Sequence, residues 1–295
     1  MAAVAEAQKL LGAIEAGGTK FVLATGTADG TILSRHYIAT TSPEATLTKA
    51  REWVATQPAI SALGIASFGP VELDRGSPKW GYITETPKDG WSDCNLAGYF
   101  AQELNVPIGF DTDVNAAALG EYRFGAGRGL SGMAYITVGT GVGGGLIING
   151  EIARGAGHPE MGHHYPRRGP QDRDFAGNCP FHGDCLEGLA SGPAILARWG
   201  RTLSELPLDH EAHELVAEYL AQACHTLFAC CAIERVVLGG GVMKTRGLLE
   251  RVIRAAKETG GHYLPGREKQ GVVSPRLNED AGITGALLLA DDAAY

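Results

Sequence analysis

Short apolar runs separated by glycine-rich turns form the first part of the chain. Residues 10–14, 21–24 and 31–33 are mostly apolar, and the mostly polar or glycine segments 15–20 and 26–30 interrupt them. Apolar runs of this length that end in glycine turns are typical of β-strands. The pattern therefore predicts two or three strands joined by tight turns.

Strands and helices alternate after this first group. Ser42-Pro43 predicts a helix start, because Ser accepts a hydrogen bond from a free backbone N–H and proline suits the first helical position. Apolar residues follow at helical spacing. Further along, the pattern predicts strands at 63–66 and 107–110, a helix at 95–104, and a helix that begins within 111–115 and ends near 121.

The opening pattern recurs in the second half of the chain. Apolar residues at 134–138, a glycine turn at 139–145, apolar residues at 146–148 and a turn at 149–150 repeat it. We interpret the recurrence as an internal duplication; a single domain with two hairpins is the alternative. The remaining pattern predicts a strand at 235–238 and helices at 211–233, 245–258 and 283–290.

Alternating strands and helices predict an α/β protein. We expect a first α/β domain at residues 1–121 and a second at 122–280. The terminal helix, within residues 281–295, is expected to return to the first domain.

Composition and charge narrow the class of protein. Glycine makes up 42 of the 295 residues, and the net charge is −8. Because no stretch gathers lysine and arginine into a basic stripe, nucleic acid is not expected as a partner. No apolar run reaches the ~18 residues that a membrane helix needs, and the first ten residues do not form a signal-peptide pattern. We therefore expect a cytoplasmic protein that has no membrane partner.

Three glycine clusters follow apolar strands and are candidate phosphate-binding turns. Glycine leaves backbone N–H groups open to phosphate oxygens, and threonine hydroxyls or a lysine add further donors. An ordinary hairpin turn is the alternative for any one of them. The candidate residues are Gly17, Gly18, Thr19, Lys20, Thr140, Gly141, Gly239, Gly240 and Gly241.

Asp113 lies where a predicted strand ends and a helix begins. Ligands of α/β sheets bind at such carboxyl ends of strands, which makes Asp113 a candidate catalytic residue. Aspartate is also a favoured helix N-cap, so Asp111 or Asp113 could serve as a cap alone.

A group of cysteines and histidines has metal-ligand spacing. Cys179, His182 and Cys185 are three residues apart, and His163 or His164 supplies a fourth ligand. Two thiolates and two imidazoles make a closed tetrahedral zinc site, which is structural because no position remains for water. Unrelated cysteines and surface histidines are the alternative.

In combination, these motifs resemble the ROK sugar kinases, and within them the bacterial fructokinase branch. The resemblance extends over nearly the whole chain. It rests on IEAGGTKF at 14–21, DTDVNAAALGE at 111–121, TVGTGVGGG at 137–145, HPEMGH at 158–163, CPFHGDCLEGLASGPA at 179–194, LGGGV at 238–242 and DAGITGA at 280–286.

The resemblance implies a ribonuclease-H-like, actin-type two-domain kinase fold with ATP in a cleft between the domains. It implies that Asp113 is the general base and that His163 is the histidine that joins the zinc. The two Gly/Thr turns are implied to hold phosphates, and the 239–241 segment to lie near the nucleoside. The sugar-binding residues implied are Gly69, Thr112, Asp113, Glu160, His163 and Glu187.

Three departures from the wider family point to the fructokinase branch. Glu15 stands where an aspartate is usual, Thr112 where an asparagine is usual, and Phe68-Gly69-Pro70 where Pro-Gly-Pro is often found. We therefore expect ATP-dependent, Mg²⁺-assisted phosphorylation of D-fructose to fructose 6-phosphate by a zinc-containing homodimer. A kinase for mannose, glucose or an N-acylhexosamine, or a non-catalytic sugar-sensing protein, remain as alternatives.

Overall fold

The apolar runs form the strands of two separate five-stranded sheets in the computed structural model, which describes residues 9–295. The sequence predicts no signal peptide in the first ten residues, and residues 1–8 of that segment lie outside this range. The chain folds into two compact units. The first comprises the chain up to Gly120 with residues 155–158 and 279–295, and the second comprises residues 121–154 and 159–278.

Among the described residues, the first unit contains seven strands and four helices. The fourth of these helices is the C-terminal helix of the chain. Its elements are β1 (Leu11–Ala16), β2 (Lys20–Gly26), β3 (Ile32–Ala39), α1 (Pro43–Ala55), β4 (Leu63–Ser67), β5 (Tyr82–Ile83), β6 (Cys94–Asn95), α2 (Leu96–Leu104), β7 (Ile108–Thr112) and α3 (Asp113–Phe124), which continues into the second unit.

The second unit repeats the arrangement of strands. Its elements are β8 (Gly132–Val138), β9 (Val142–Ile148), β10 (Glu151–Ile152), α4 (Leu186–Ala190), α5 (Gly192–Trp199), α6 (Ala212–Cys231), β11 (Arg235–Gly239), α7 (Leu248–Gly260) and β12 (Gly271–Val273), and the chain then ends in α8 (Ala281–Ala293) of the first unit.

Both large sheets have the same strand order. The first is β3-β2-β1-β4-β7 and the second is β10-β9-β8-β11-β12. In each, three strands form an antiparallel meander and two further strands pair in parallel. The shared order confirms the internal duplication predicted from the repeated strand and glycine pattern.

Two predicted helix starts are confirmed by side-chain caps. The Ser42 side chain accepts a hydrogen bond from the Ala45 N–H, and Pro43 occupies the first position of α1. Asn95 caps α2 in the same way through the Gly98 N–H. These caps depend on residues three positions apart, so the local sequence is enough to predict them.

The predicted glycine turn at 139–145 is too long. β9 begins at Val142, and Gly143 and Gly145 lie opposite Thr137 and Tyr135 of β8. Glycine is rare inside strands, which is why the sequence pattern suggests a turn here. Close packing explains the glycine at 144, because a Cβ there would lie 2.7 Å from the Met161 sulfur.

Helix α7 also starts later than the sequence predicts. The expected helix at 245–258 is found at Leu248–Gly260, because a 3₁₀ turn at Val242–Lys244 comes first. The short helices α4 and α5 are not predicted by the sequence, since they have few residues to show a period.

Helix α8 packs against the backbone of the first sheet. It lies on β1, β4 and β7, and ten of its residues are buried. Glycine allows this close approach: a Cβ on Gly64 would lie 1.8 Å from the Ala286 carbonyl oxygen, and one on Gly109 would lie 2.0 Å from the Leu289 carbonyl oxygen. This packing places the last helix in the first unit. None of the helices within residues 9–295 has both the length and the apolar character to cross a membrane.

The Gly64→Ala variant should be strongly destabilised, because the new methyl group meets a helix backbone that cannot rotate away. We expect a loss of about 3 kcal/mol or more in the free energy of unfolding, at the upper end of typical overpacking. Urea denaturation measures it. Gly155→Ala is the control, since no heavy atom lies within 4 Å of a Cβ there. Equal stabilities of the two variants would contradict this packing.

Candidate functional site

The carboxyl ends of three parallel strands meet at one edge of the first sheet. The register pairs Ala16 of β1 with Ser67 of β4, and Ser67 with Thr112 of β7. The residues that follow these three strands therefore start side by side. They include the Gly17 turn, Gly69 and Asp113, which are all predicted site residues.

The Gly17 turn has its backbone fixed and its tip exposed. The Gly17 N–H donates to the Lys20 carbonyl at 3.0 Å, and the Thr40 hydroxyl donates to the Gly17 carbonyl at 2.7 Å. Gly18, Thr19 and Lys20 are exposed, and no atom lies within 4 Å of a Cβ built on Gly18. Such a turn presents N–H and hydroxyl donors to an anion without obstruction.

Thr112, not Asp113, caps helix α3. The Thr112 hydroxyl oxygen accepts a hydrogen bond from the Asn115 N–H at 3.1 Å, which is the bond of an N-cap residue. Buried Asp111 accepts from the Thr112 N–H and from the Asn115 side-chain amide, both at 2.7 Å, and so holds the turn rigid. Asp113 is therefore not needed as the cap, although its carboxylate also accepts from the Val114 N–H at 2.9 Å.

Glu15 is a second carboxyl group at this edge. Burial, and after it the negative charge of Asp113, raise the pKa of Glu15 to about 7, against the opposing charges of Lys20 and Arg35. Its carboxyl group lies against α8, where a Cβ on Gly282 would be 2.6 Å from the Glu15 Cδ. A half-buried pair of carboxyl groups beside a glycine turn is an arrangement that can bind a cation.

The second sheet has an equivalent edge. Strands β8 and β11 are parallel, and Thr137 pairs with Gly239, so the turn at residues 139–141 and the glycines 239–241 start side by side. The Gly139 N–H donates to the Gly141 carbonyl, and the Gly192 N–H donates to the Gly139 carbonyl, both at 2.8 Å. Thr140 is exposed at the tip of the turn.

Gly240 allows the two strand ends to approach each other. Its φ is +92°, a conformation that other residues rarely adopt. A Cβ there would also lie 2.4 Å from the Val138 carbonyl oxygen. Gly241 has no atom within 4 Å of its Cβ position, so it leaves open space beside the turn.

Glu187 is held against the turn of the second unit. Its Oε2 accepts a hydrogen bond from the Val142 N–H at 3.0 Å, and a Cβ on Gly141 would lie 2.7 Å from the same oxygen. A predicted sugar-binding residue therefore lies next to a predicted phosphate-binding turn. The sequence does not reveal this contact, because the two residues are 45 positions apart.

Four predicted metal ligands converge in the second unit. The ligand atoms of His163, Cys179, His182 and Cys185 all lie within 4.8 Å of one another. His163 Nδ1 is 3.8 Å from the Cys179 sulfur, 3.6 Å from the Cys185 sulfur and 3.2 Å from His182 Nδ1. Tetrahedral zinc–sulfur and zinc–nitrogen bonds give ligand separations of about 3.3–3.8 Å, so this donor set fits zinc.

The structure distinguishes between the two adjacent histidines. His164 Nδ1 is 2.8 Å from the Met161 carbonyl oxygen and lies outside the cluster. His163 directs Nδ1 to the cluster, and its Nε2 is 3.9 Å from Glu160 Oε2. A metal on Nδ1 leaves the proton on Nε2, so the ring would present an N–H toward Glu160.

An ionic network that the sequence does not predict also holds the cysteine loop. Asp172 is fully buried and contacts Arg168, Arg198 and the Tyr219 hydroxyl. Arg168 also pairs with Asp184, which lies between His182 and Cys185, at 3.0 Å. Removal of one partner from a buried ion pair is costly, so this network favours a single loop position.

Comparisons with known proteins agree with the fold expected from the sequence. The ROK family model matches residues 11–293. The fructokinase of Zymomonas mobilis is 47% identical over 291 residues, which cover 96% of this chain and 97% of the relative. The fructokinase of Pediococcus pentosaceus is 43% identical over 289 residues, 96% of this chain and 98% of the relative.

A solved structure extends the likeness to the whole fold. The structure of a ROK family glucokinase from Streptomyces griseus, in complex with glucose and AMPPNP, matches with a TM-score of 0.76 and 25% identity. The match covers 96% of this chain and 99% of the glucokinase chain. The fold is therefore the ribonuclease-H-like, actin-type fold of sugar kinases.

Protonation of Glu15 should make stability depend on pH. The folded protein keeps a proton on Glu15 up to about pH 7, whereas the unfolded chain loses it near pH 4.5, so wild-type stability falls as pH rises between these values. Glu15→Gln has no such proton. Relative to this variant, we expect the free energy of unfolding of the wild type to fall by about 3 kcal/mol from pH 4.5 to pH 8, at about 1.4 kcal/mol per pKa unit.

Urea denaturation of the nucleotide-free proteins across this pH range measures the difference. Glu258→Gln, at an exposed position of α7, is the control and should follow the wild type at every pH. A constant difference between the wild type and Glu15→Gln would show that Glu15 does not retain its proton.

Proposed function

The chain belongs to the ROK family, and we propose that it is an ATP-dependent kinase that phosphorylates D-fructose at its 6-hydroxyl. The observation that carries the proposal is the 47% identity to a fructokinase over almost the full length of both proteins. The position of Asp113 at the carboxyl edge of the first sheet, as the first residue of the helix that Thr112 caps, supports it.

Asp113 acts as the general base in this proposal. Its carboxylate accepts the proton of the fructose 6-hydroxyl while that oxygen forms a bond to the γ-phosphorus of ATP. The bond between the γ-phosphorus and the bridging oxygen breaks, and ADP leaves with the electron pair. Phosphoryl transfer needs positioning and charge neutralisation more than covalent catalysis, so one base and fixed donors suffice.

The two glycine turns bind phosphate groups in this proposal. Gly17, Gly18 and Thr19 offer backbone and hydroxyl donors from the first unit, and Lys20 adds a positive charge. Thr140 and Gly141 offer the equivalent donors from the second unit, where residues 239–241 leave room for the nucleoside. Mg²⁺ would neutralise phosphate charge, and Glu15 offers the carboxylate oxygen that this ion prefers.

Six residues bind sugar hydroxyls in this proposal. Gly69 and Asp113 follow strands of the first sheet, and Thr112 is the last residue of β7. Glu160, His163 and Glu187 belong to the second unit, where the metal cluster and the Val142 N–H hold two of them in position. Carboxylates and an imidazole N–H supply the acceptors and the donor that hydroxyl groups need.

Zinc is the metal that we propose for the cluster of His163, Cys179, His182 and Cys185. Its four protein ligands leave no open position, so its role is structural. We also propose that the enzyme works as a homodimer, as the family resemblance implies, and that it is cytoplasmic.

A panel of hexoses tests the proposed function directly. ADP release should be measured with Mg-ATP and D-fructose, D-mannose, D-glucose or N-acetylmannosamine. We expect the highest kcat/KM for fructose. A higher value for another hexose would contradict the substrate assignment, and no sugar-dependent ADP release with any of them would contradict the kinase assignment.

The Asp113→Asn variant should lose about 10²–10⁴-fold in kcat, which is typical when general-base catalysis is removed. Fructose binding should change much less, because asparagine keeps the shape of the side chain. Steady-state kinetics and fructose titration measure both. Asp209→Asn, an exposed substitution, is the matched control. An Asp113→Asn protein with wild-type kcat would exclude Asp113 as the base.

The Cys185→Ser variant should lose its zinc and bind fructose more weakly, because Glu187 lies two residues away at the start of α4. Elemental analysis should find about one zinc per chain in the wild type and in Cys230→Ser, whose exposed cysteine lies outside the cluster. If Cys185→Ser kept its fructose affinity but lost single-turnover phosphoryl transfer, zinc would act in the chemistry instead.

A further inference from the structure

A cavity of about 490 Å³ lies in the second unit, away from its glycine turns. It is formed by α6, α7, the loop at 261–270 and the start of β12. Gly271, at the start of β12, lines the cavity and pairs with Arg235, the first residue of β11. The glycines 239–241 begin at the other end of β11, about 13 Å away at the rise of a strand. The cavity and the proposed nucleotide turns therefore lie at opposite ends of strand β11.

The floor of the cavity is apolar. Phe228 of α6 and Ile253 and Ala256 of α7 line it, and they pack against the core of the second unit. Val272 of β12 completes this floor. A ligand that covers this apolar surface and displaces its water lowers the free energy of the system. A volume near 490 Å³ is in the range of small-molecule sites.

The rim of the cavity is rich in cations. Lys257, at the end of α7, and Arg267, on the loop, are both exposed, and neither joins an ion pair among the described residues. Glu268 is the acidic residue on the rim, so positive charge is in excess. His225 also lines the cavity, and its buried Nδ1 has no hydrogen-bond partner within residues 9–295.

We propose that this cavity is a second ligand site, which binds a small amphipathic anion. An apolar or aromatic body covers the floor formed by Phe228, Ile253 and Ala256, and one carboxylate, sulfonate or phosphate lies at the rim, where Lys257 and Arg267 neutralise its charge. An uncharged apolar molecule would contact the floor but form no ion pair with the two cations. A small inorganic anion would pair with the cations but would not contact the apolar floor. The site does not depend on the proposed kinase activity.

The aromatic sulfonate 8-anilinonaphthalene-1-sulfonate is a suitable probe, because its fluorescence rises in apolar surroundings. Titration of the full chain should show saturable binding. The double variant Lys257→Gln/Arg267→Gln should bind the probe about tenfold more weakly, the loss expected from removing charge-assisted contacts. Ala256→Leu should also weaken binding, because the added atoms occupy the floor while the charges stay.

Lys269→Gln is the matched control, since this exposed cation lies on the same loop but does not line the cavity. It should bind the probe within about twofold of the wild type, and thermal melting should confirm that every variant is folded. Wild-type binding by the double variant would overturn the proposal. Displacement of the probe by fructose and a non-hydrolysable ATP analogue would assign the probe to the kinase site and also overturn it. Loss of probe binding together with a changed oligomeric state in the double variant would assign this face to a contact between two copies, which also overturns it.

Discussion

Parallel pairing of strands is the constraint on which the candidate site depends. In the first sheet, β1, β4 and β7 run in one direction, so the Gly17 turn, Gly69 and Asp113 follow strand ends that lie side by side. In the second sheet, β8 and β11 do the same for the turn at 139–141 and the glycines 239–241. Residues that are far apart in the sequence thus lie together because of backbone hydrogen bonding, before any side chain contributes.

The cysteine loop adds a second level of positioning within the second unit. Cys185 belongs to the metal-ligand cluster and is followed by α4, whose second residue is Glu187. Glu187 in turn accepts the Val142 N–H at the start of β9. The Arg168–Asp172 network contacts the same loop through Asp184. The start of α4, which carries Glu187, is therefore positioned by the cysteine–histidine cluster, by a buried ion pair and by the sheet.

The sequence predicts the parts of this arrangement that are local. The Ser42 cap, the glycine turns after strands and the Cys179–His182–Cys185 spacing depend on neighbours only a few positions apart, and the structure contains all of them. Repetition of the strand and glycine pattern was enough to predict the three consecutive strands that form the antiparallel part of each sheet.

The parts that depend on distant contacts could not be predicted. Gly143 and Gly145 belong to β9 because β8 pairs with them, although glycine itself disfavours a strand. The contacts that make Thr112 rather than Asp113 the cap of α3 are local, but the sequence does not predict this choice because threonine and aspartate are both favoured caps. The contact of Glu187 with Val142, the Asp172 network and the cavity beside α7 join segments whose closeness no local pattern indicates.

The position of the phosphate on the product tests the central claim most directly. The protein should be incubated with Mg-ATP and D-fructose, and the sugar phosphate examined by two-dimensional proton–phosphorus NMR. The account predicts a phosphorus signal coupled to the protons on C6 of fructose. Coupling to the protons on C1, or free phosphate without a sugar phosphate, would contradict it.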